Sequence, residues 1–255
     1  MKIRITSIPN FLTFLKRLKA VDKSVILEIT ESSMFSKVHT PDKAVMKYSS
    51  VDYSDVFEGD IDWKSLKCDR VKIGIVDVTK LMEAFKHFRP EEEVFLEMKI
   101  DKVSGDCVTT ELHLVSTSLN IKLRCADFSL LSYVEDSILK MVHSKDDAGV
   151  NFKIYQSDFA TIVSLCGLEN NSEEILCFEV NAKGVIAFGE NFKYKMNIGS
   201  SEIQMEDEAK TSYNVYKNQL GFMEQETCQV YAHENRIVLV SEQSNTSIAI
   251  GLVEK

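Results

Sequence analysis

The sequence contains few of the residues that interrupt secondary structure: only 3 prolines and 10 glycines among 255 residues. This scarcity leaves little room for flexible linkers or collagen-like tracts. No apolar run approaches the roughly 20 residues that a membrane helix requires. The first residues alternate between polar and apolar instead of forming a signal-peptide core. We therefore expect a cytoplasmic chain with no membrane segment.

Motifs of catalysis and of metal binding are also missing. The sequence has no glycine-rich phosphate loop, no HExxH and no GxSxG. Its six cysteines form no CxxC pair and have no histidine at a zinc-finger spacing. We interpret them as buried thiols of a reducing compartment, and we expect no metal, no cofactor and no enzymatic activity. The single tryptophan, Trp63, is either a partner contact or a half-buried anchor.

The composition is that of a folded but acidic protein. Hydrophobic residues make up 44% of the chain, which excludes intrinsic disorder. The net charge of −9 argues against a simple basic nucleic-acid binder. Basic residues nevertheless concentrate between Met1 and Lys23, so the distribution of charge matters more than its sum.

The chain repeats one order of elements. A strand, a short amphipathic helix and three strands occur at the start, from Arg70, from Val150 and, in a worn form, from Thr211. Such repeats fix an architecture. We predict an α+β protein of two similar domains, each with two βαβββ units. The domains span residues 1–127 and 150–255, and a connector at 128–149 contains one helical turn at Asp136–Val142.

Basic residues lie opposite the apolar stripes of the first two helices. The first helix places Lys16 and Arg17 there, with Lys19 at its flank. The second, predicted at Val78–Phe88, presents Lys80 and His87. The third exposes Thr161 and Ser164, and Lys217 is the one candidate in the fourth unit. Two interpretations stay open: a solvated helix face, or contact with phosphates.

The chain resembles a DNA sliding clamp. Its repeat order is that of the two-domain clamps, such as proliferating cell nuclear antigen. The C-terminal half is similar to the second domain of the T-even-type phage clamp in three stretches: SDFATIVSLCGL, KGVIAFGENFKYKMNIG and the final unit from Thr211.

The resemblance implies a DNA-clamp fold with helices inside and antiparallel sheets outside. It implies a ring-shaped homotrimer that encircles duplex DNA and tethers the replicative DNA polymerase after an ATP-dependent clamp loader places it on DNA. Its location would be replication forks, in the cytoplasm of a bacterial host if the protein is phage-encoded. The expected DNA-facing residues are Lys16, Arg17, Lys19, Lys80, Lys86, His87 and Lys217.

The resemblance also implies two protein interfaces. Trimer contacts are expected along edge strands at 107–116 and 183–190, through Thr109, Glu111, His113, Val115, Val185, Ile186 and Phe188. A partner groove is expected beside the connector, formed by Phe128, Leu131, Tyr133, Val134, Leu252 and Val253. The alternative for Leu130 and Leu131 is that they only pin the connector to the core.

Two other functions compete with the clamp. A non-enzymatic β-rich phage structural or interaction module that does not encircle DNA would share the strands and the acidity. It would not require basic helix faces. An enzyme with an unrecognised acid–base pair has no sequence feature to support it.

Overall fold

The computed structural model describes residues 1–59, 61–131, 133–166, 175–189, 195–198, 203–205 and 210–253. The chain divides into two compact units. Unit 1 comprises Met1–His39 and Tyr48–Val134, and unit 2 comprises Thr40–Lys47 and Glu135–Lys255. The domain boundaries expected from the sequence stay a prediction.

Unit 1 contains the first two repeats. Their elements, in chain order, are β1 (Lys2–Ile5), α1 (Ile8–Lys19), β2 (Val25–Ile29), β3 (Ser33–His39), β4 (Val45–Asp52, shared with unit 2), α2 (Tyr53–Val56), β5 (Phe57–Glu58), α3 (Trp63–Leu66), β6 (Val71–Ile75), α4 (Val78–Phe85), β7 (Val94–Val103), β8 (Asp106–Val115) and β9 (Asn120–Arg124). The elements α2, β5 and α3 interrupt the repeat and were not expected. Helix α4 ends three residues earlier than predicted, at Phe85.

Unit 2 contains the other two repeats. Their elements are α5 (Asp136–Val142), β10 (Val150–Ile154), α6 (Gln156–Cys166), β11 (Ile175–Asn181), β12 (Gly184–Gly189), β13 (Lys195–Ile198), β14 (Gln204–Met205), β15 (Thr211–Tyr216), β16 (Cys228–Ala232), β17 (Arg236–Ser241) and β18 (Thr246–Gly251). The helical turn predicted at Asp136–Val142 is confirmed. A 3₁₀ segment, Lys217–Phe222, replaces the helix of the fourth repeat.

Strand pairing confirms the duplication. In unit 1, β1 pairs with β7 and β2 pairs with β6, all antiparallel. In unit 2 the corresponding strands pair in the same way, β10 with β16 and β11 with β15. Each unit is therefore built from two similar halves joined through the same strands.

One face of each sheet carries the helices. Strand residues of alternating positions, such as Val25 and Leu27, pack with Phe14 and Leu18 of α1 in a single apolar core. Unit 2 has its own core, in which Phe159 of α6 contacts the strands. The mixed α+β architecture predicted from the sequence is confirmed. None of the helices in the described ranges is long and apolar enough to span a membrane.

The cysteines partly contradict the prediction. Cys68 and Cys107, 39 residues apart in sequence, form a disulfide because the end of α3 lies beside the start of β8. Cys125, Cys177 and Cys228 are free thiols. Cys228 is buried, as expected, whereas Cys125 is half-buried. Burial raises the pKa of Cys125 to about 11 and that of Cys228 to about 12, so both stay protonated at neutral pH.

Candidate nucleic-acid interface and partner groove

Two neighbouring helices in unit 1 form the candidate nucleic-acid interface. Ser7 caps the N-terminus of helix α1, and its side chain accepts a hydrogen bond from the Asn10 backbone. Asp77 caps the N-terminus of helix α4 and accepts a hydrogen bond from the Thr79 backbone at 2.8 Å. Burial opposes ionisation of Asp77, but these hydrogen bonds outweigh it and lower its pKa. The helices pack together through Phe11 and Phe85, whose ring centroids are 5.4 Å apart.

The outer side of this helix pair is mainly basic, with Glu83 of α4 as an exposed acidic residue. Lys16, Lys19, Lys80 and Lys86 are exposed, and so is His87. Within the described part of the chain, Lys16, Lys19 and Lys86 form no ion pair. Cations near a helix C-terminus are also favourable for the helix itself, so part of the pattern has a structural cause. The exposed ammonium groups are nonetheless free to reach a polyanion.

Two predicted DNA-facing residues differ from the rest. Arg17 is half-buried, unlike the exposed lysines, and it already interacts with other groups of the protein. Lys217 is buried, with 6% of its surface exposed, because the 3₁₀ segment Lys217–Phe222 folds onto the core of unit 2. The prediction that Lys217 faces DNA is therefore wrong. Helix α6 contains no Lys or Arg and exposes Thr161 and Ser164, as the sequence indicates.

The strands expected to be free edges are paired on both sides. Strand β8, which carries Thr109, Glu111, His113 and Val115, pairs with β7 on one side and with β6 and β9 on the other. Strand β12, which carries Val185, Ile186 and Phe188, lies between β11 and β13. Glu190 lies outside the described residues. The predicted edges are therefore wrong, because in each unit one further strand, β9 or β13, covers them.

The residues expected in the partner groove lie in both units. In unit 1, Val134 is buried and Leu131 packs over Gly74, where an added Cβ would lie 3.2 Å from the leucine Cδ1. Phe128 is half-buried, whereas Leu130 is 81% exposed. Leu131 therefore packs against unit 1, as expected if it pins the connector, whereas Leu130 does not.

Tyr133 makes its contacts inside unit 1. The ammonium of Lys37 lies 4.6 Å from the centroid of the Tyr133 ring, and that of Lys72 lies 4.7 Å from it. Lys37 also donates to the Tyr133 hydroxyl at 3.3 Å. The side chain is engaged by two cations, which favours anchoring of the connector over a contact at the rim of a partner site.

In unit 2, Leu252 and Val253 continue from the final strand. The Leu252 backbone donates to Asn235 and that of Val253 donates to Asn214, both at 2.9 Å. Beside this chain end, unit 2 has an apolar groove of about 310 Å³. Its lining is Lys43, Ala44, Met46, Met141, Val142, Asn235, Arg236, Ala249, Ile250 and Gly251. Sequence reasoning missed these residues, although the apolar Ile138 and Met141 on a predicted helical turn were a signal.

No protein-family model matches the sequence, and no curated protein is significantly similar to it. Solved structures, in contrast, match almost the whole chain. Proliferating Cellular Nuclear Antigen from Entamoeba histolytica is 10% identical, with a TM-score of 0.68 over 99% of this chain and 98% of its own. A. fulgidus PCNA, solved with the C-terminal region of FEN-1 bound, is 12% identical, with a TM-score of 0.69 over 100% and 99%.

The bacterial counterpart is similar as well. The DNA polymerase III subunit beta from Pseudomonas aeruginosa is 13% identical, with a TM-score of 0.68 over 100% of this chain and 65% of its own. At these identities the likeness concerns the fold. This chain has the fold of the DNA sliding clamps.

Proposed function

We propose that this protein is a sliding clamp: three copies close around duplex DNA and tether the replicative DNA polymerase for processive synthesis. The observation that carries the proposal is the set of exposed lysines on α1 and α4, in a chain of net charge −9. An acidic protein with one cationic face attracts DNA there and repels it elsewhere. Contacts to phosphates carry no sequence information, so the ring can slide.

In this proposal the protein catalyses no reaction, and an ATP-dependent loader places it on DNA at replication forks. Its ring closes by pairing of edge strands, which are β9 in unit 1 and β13 in unit 2. Each pairs with one strand only within the described ranges. An unpaired edge offers backbone donors and acceptors to another chain. A cyclic head-to-tail arrangement would pair the two edges in every copy.

The polymerase is proposed to dock through a short apolar segment in the groove of unit 2. The groove has the apolar lining that such a segment needs, with Met46, Ala249 and Ile250 among its walls. The structure of A. fulgidus PCNA, in which the C-terminal region of FEN-1 is bound, supports this mode of attachment. The loader is proposed to use the same groove.

The test of DNA encirclement compares two variants with equal charge change. Lys16→Ala, Lys19→Ala and Lys80→Ala together remove the helix-face cations. Lys64→Ala, Lys102→Ala and Lys145→Ala remove exposed lysines elsewhere. Only the first variant should lose polymerase processivity on primed template, and its loss relative to wild type should be larger at low salt, where phosphate contacts contribute most. The slope of log affinity against log salt should become shallower by roughly 0.9 per lost phosphate contact.

Equal processivity of both variants at two salt concentrations would contradict the assignment of these helices to DNA. It would favour the alternative of a β-rich interaction module that does not encircle DNA. Circular dichroism and native mass of each variant serve as controls for folding and assembly.

A further inference from the structure

Helix α5 is too short to be stable alone. It has seven residues and no buried side chain, and it exposes Ile138 and Met141 to 43% and 66%. Isolated helices of this length are marginal in water, so something outside the helix must hold it in place. The last carbonyls of a helix lack intrahelical partners and are the natural points of attachment.

Arg236, at the start of β17, supplies that attachment. Its Nε donates to the Val142 carbonyl at 2.9 Å and its Nη2 donates to the Met141 carbonyl at 3.3 Å. Its Nη1 donates to Asn235 at 3.1 Å, which orients the guanidinium. A cation at this end of α5 also interacts favourably with the helix dipole.

A second contact lies one residue further on. His143 Nδ1 is 2.8 Å from the Ser247 hydroxyl of β18. Both contacts connect the end of α5 to neighbouring strands of the same sheet, since β17 pairs with β18.

The carbonyls that Arg236 holds belong to a wall of the apolar groove. Met141 and Val142 line it from α5, and Ala249, Ile250 and Gly251 line it from β18. We infer that Arg236 is a positioning residue, which fixes the distance of α5 from β18 and so preforms the groove for a short apolar peptide. The inference rests on the proposed function, because it concerns the groove in which the polymerase would dock.

The test uses Arg236→Lys in the full-length protein. Lysine keeps the charge, but its single ammonium cannot reproduce the two-carbonyl fork of the guanidinium. Arg89→Lys is the matched control, because Arg89 is exposed in unit 1. Two quantities are measured: amide hydrogen exchange across Asp136–Val142, and affinity for a fluorescein-labelled peptide from the C-terminus of the replicative polymerase of the same organism.

We expect Arg236→Lys to accelerate amide exchange in α5 and to weaken the affinity for the peptide about tenfold, with a melting temperature near that of wild type. Arg89→Lys should match wild type in exchange and in affinity. Unchanged exchange and affinity would overturn the inference. If the wild-type protein binds no peptide, the docking proposal fails. The exchange rates of α5 then still decide whether Arg236 positions the helix. Ser247→Ala, which removes the second contact alone, should have the smaller effect.

Discussion

Charged side chains buried under the connector set its path across unit 1. Glu28 is fully buried, forms an ion pair with Lys37 at 2.8 Å and accepts a hydrogen bond from Arg70 at 2.9 Å. Lys72 pairs with Asp106 at 2.8 Å. Buried charges require such partners, because an unpaired one costs several kcal/mol. The two lysines are thereby fixed on the outer face of the sheet, where Tyr133 of the connector packs against them.

His143 should make the stability of the folded protein depend on pH. Burial lowers its pKa from 6.5 to about 4, a backbone hydrogen bond with Met46 opposes the shift, and the charge of Arg236 adds to it. Between pH 6.5 and 4, His143 is protonated in the unfolded chain but neutral in the folded chain. The free energy of unfolding should therefore fall by about 1.4 kcal/mol per pH unit over this range, and then level off.

The measurement is the free energy of unfolding by urea against pH, for wild type and His143→Asn. The variant should lose part of the slope between pH 6.5 and 4. Burial also lowers the pKa of His233, but that residue titrates in both proteins, so the difference isolates His143. Identical slopes would contradict the burial of His143 as the cause.

At the scale of elements, β9 is the edge on which the proposed ring closure depends in unit 1. Its residues alternate between exposed and half-buried, from Asn120 to Arg124. Adjacent residues of a strand direct their N–H groups to opposite edges. Of Lys122→Pro and Leu123→Pro, one should therefore remove a donor toward β8 and destabilise the fold. The other should remove a donor toward the free edge and yield folded monomers.

Light scattering and circular dichroism distinguish the two outcomes. If both proline variants stay trimeric and folded, β9 does not close the ring. Strand β9 takes the place of β8 as the expected trimer contact, because β8 is already paired on both sides.

Most helices and strands could be predicted from local patterns. The apolar periodicity of α1 and the alternation of β8 are properties of contiguous residues. The order of strands in the sheets could not be predicted in the same way, because the parallel pairing of β8 with β6 joins residues far apart in sequence, such as Cys107 and Val71. The burial of Lys217 and the Cys68–Cys107 disulfide escaped prediction for the same reason.

The sequence predicted one part of the candidate site but not the other. The exposed lysines of α1 and α4 followed from helical periodicity, whereas the groove needed four separate segments to meet, one of them Asn235 and Arg236. Met46, Met141 and Ile250 come from a hairpin, a connector helix and the last strand. Their proximity is a property of the tertiary structure, and only the exposed apolar face of α5 could have indicated it.

At the scale of the molecule, the two units share a topology but not a charge pattern. Unit 1 exposes lysines on both of its long helices, whereas α6 of unit 2 carries none. Each copy would thus contribute one cationic helix pair to the hole of the proposed ring. Among the described residues the outer edges of β9 and β13 are unpaired, so a lone copy would leave them open to another chain, which proteins generally avoid.

Native mass spectrometry over a range of protein concentrations would decide whether three chains form a closed ring. We expect one dominant species at three times the chain mass of 29.0 kDa. A protein that remains a monomer or a dimer at all concentrations would contradict it.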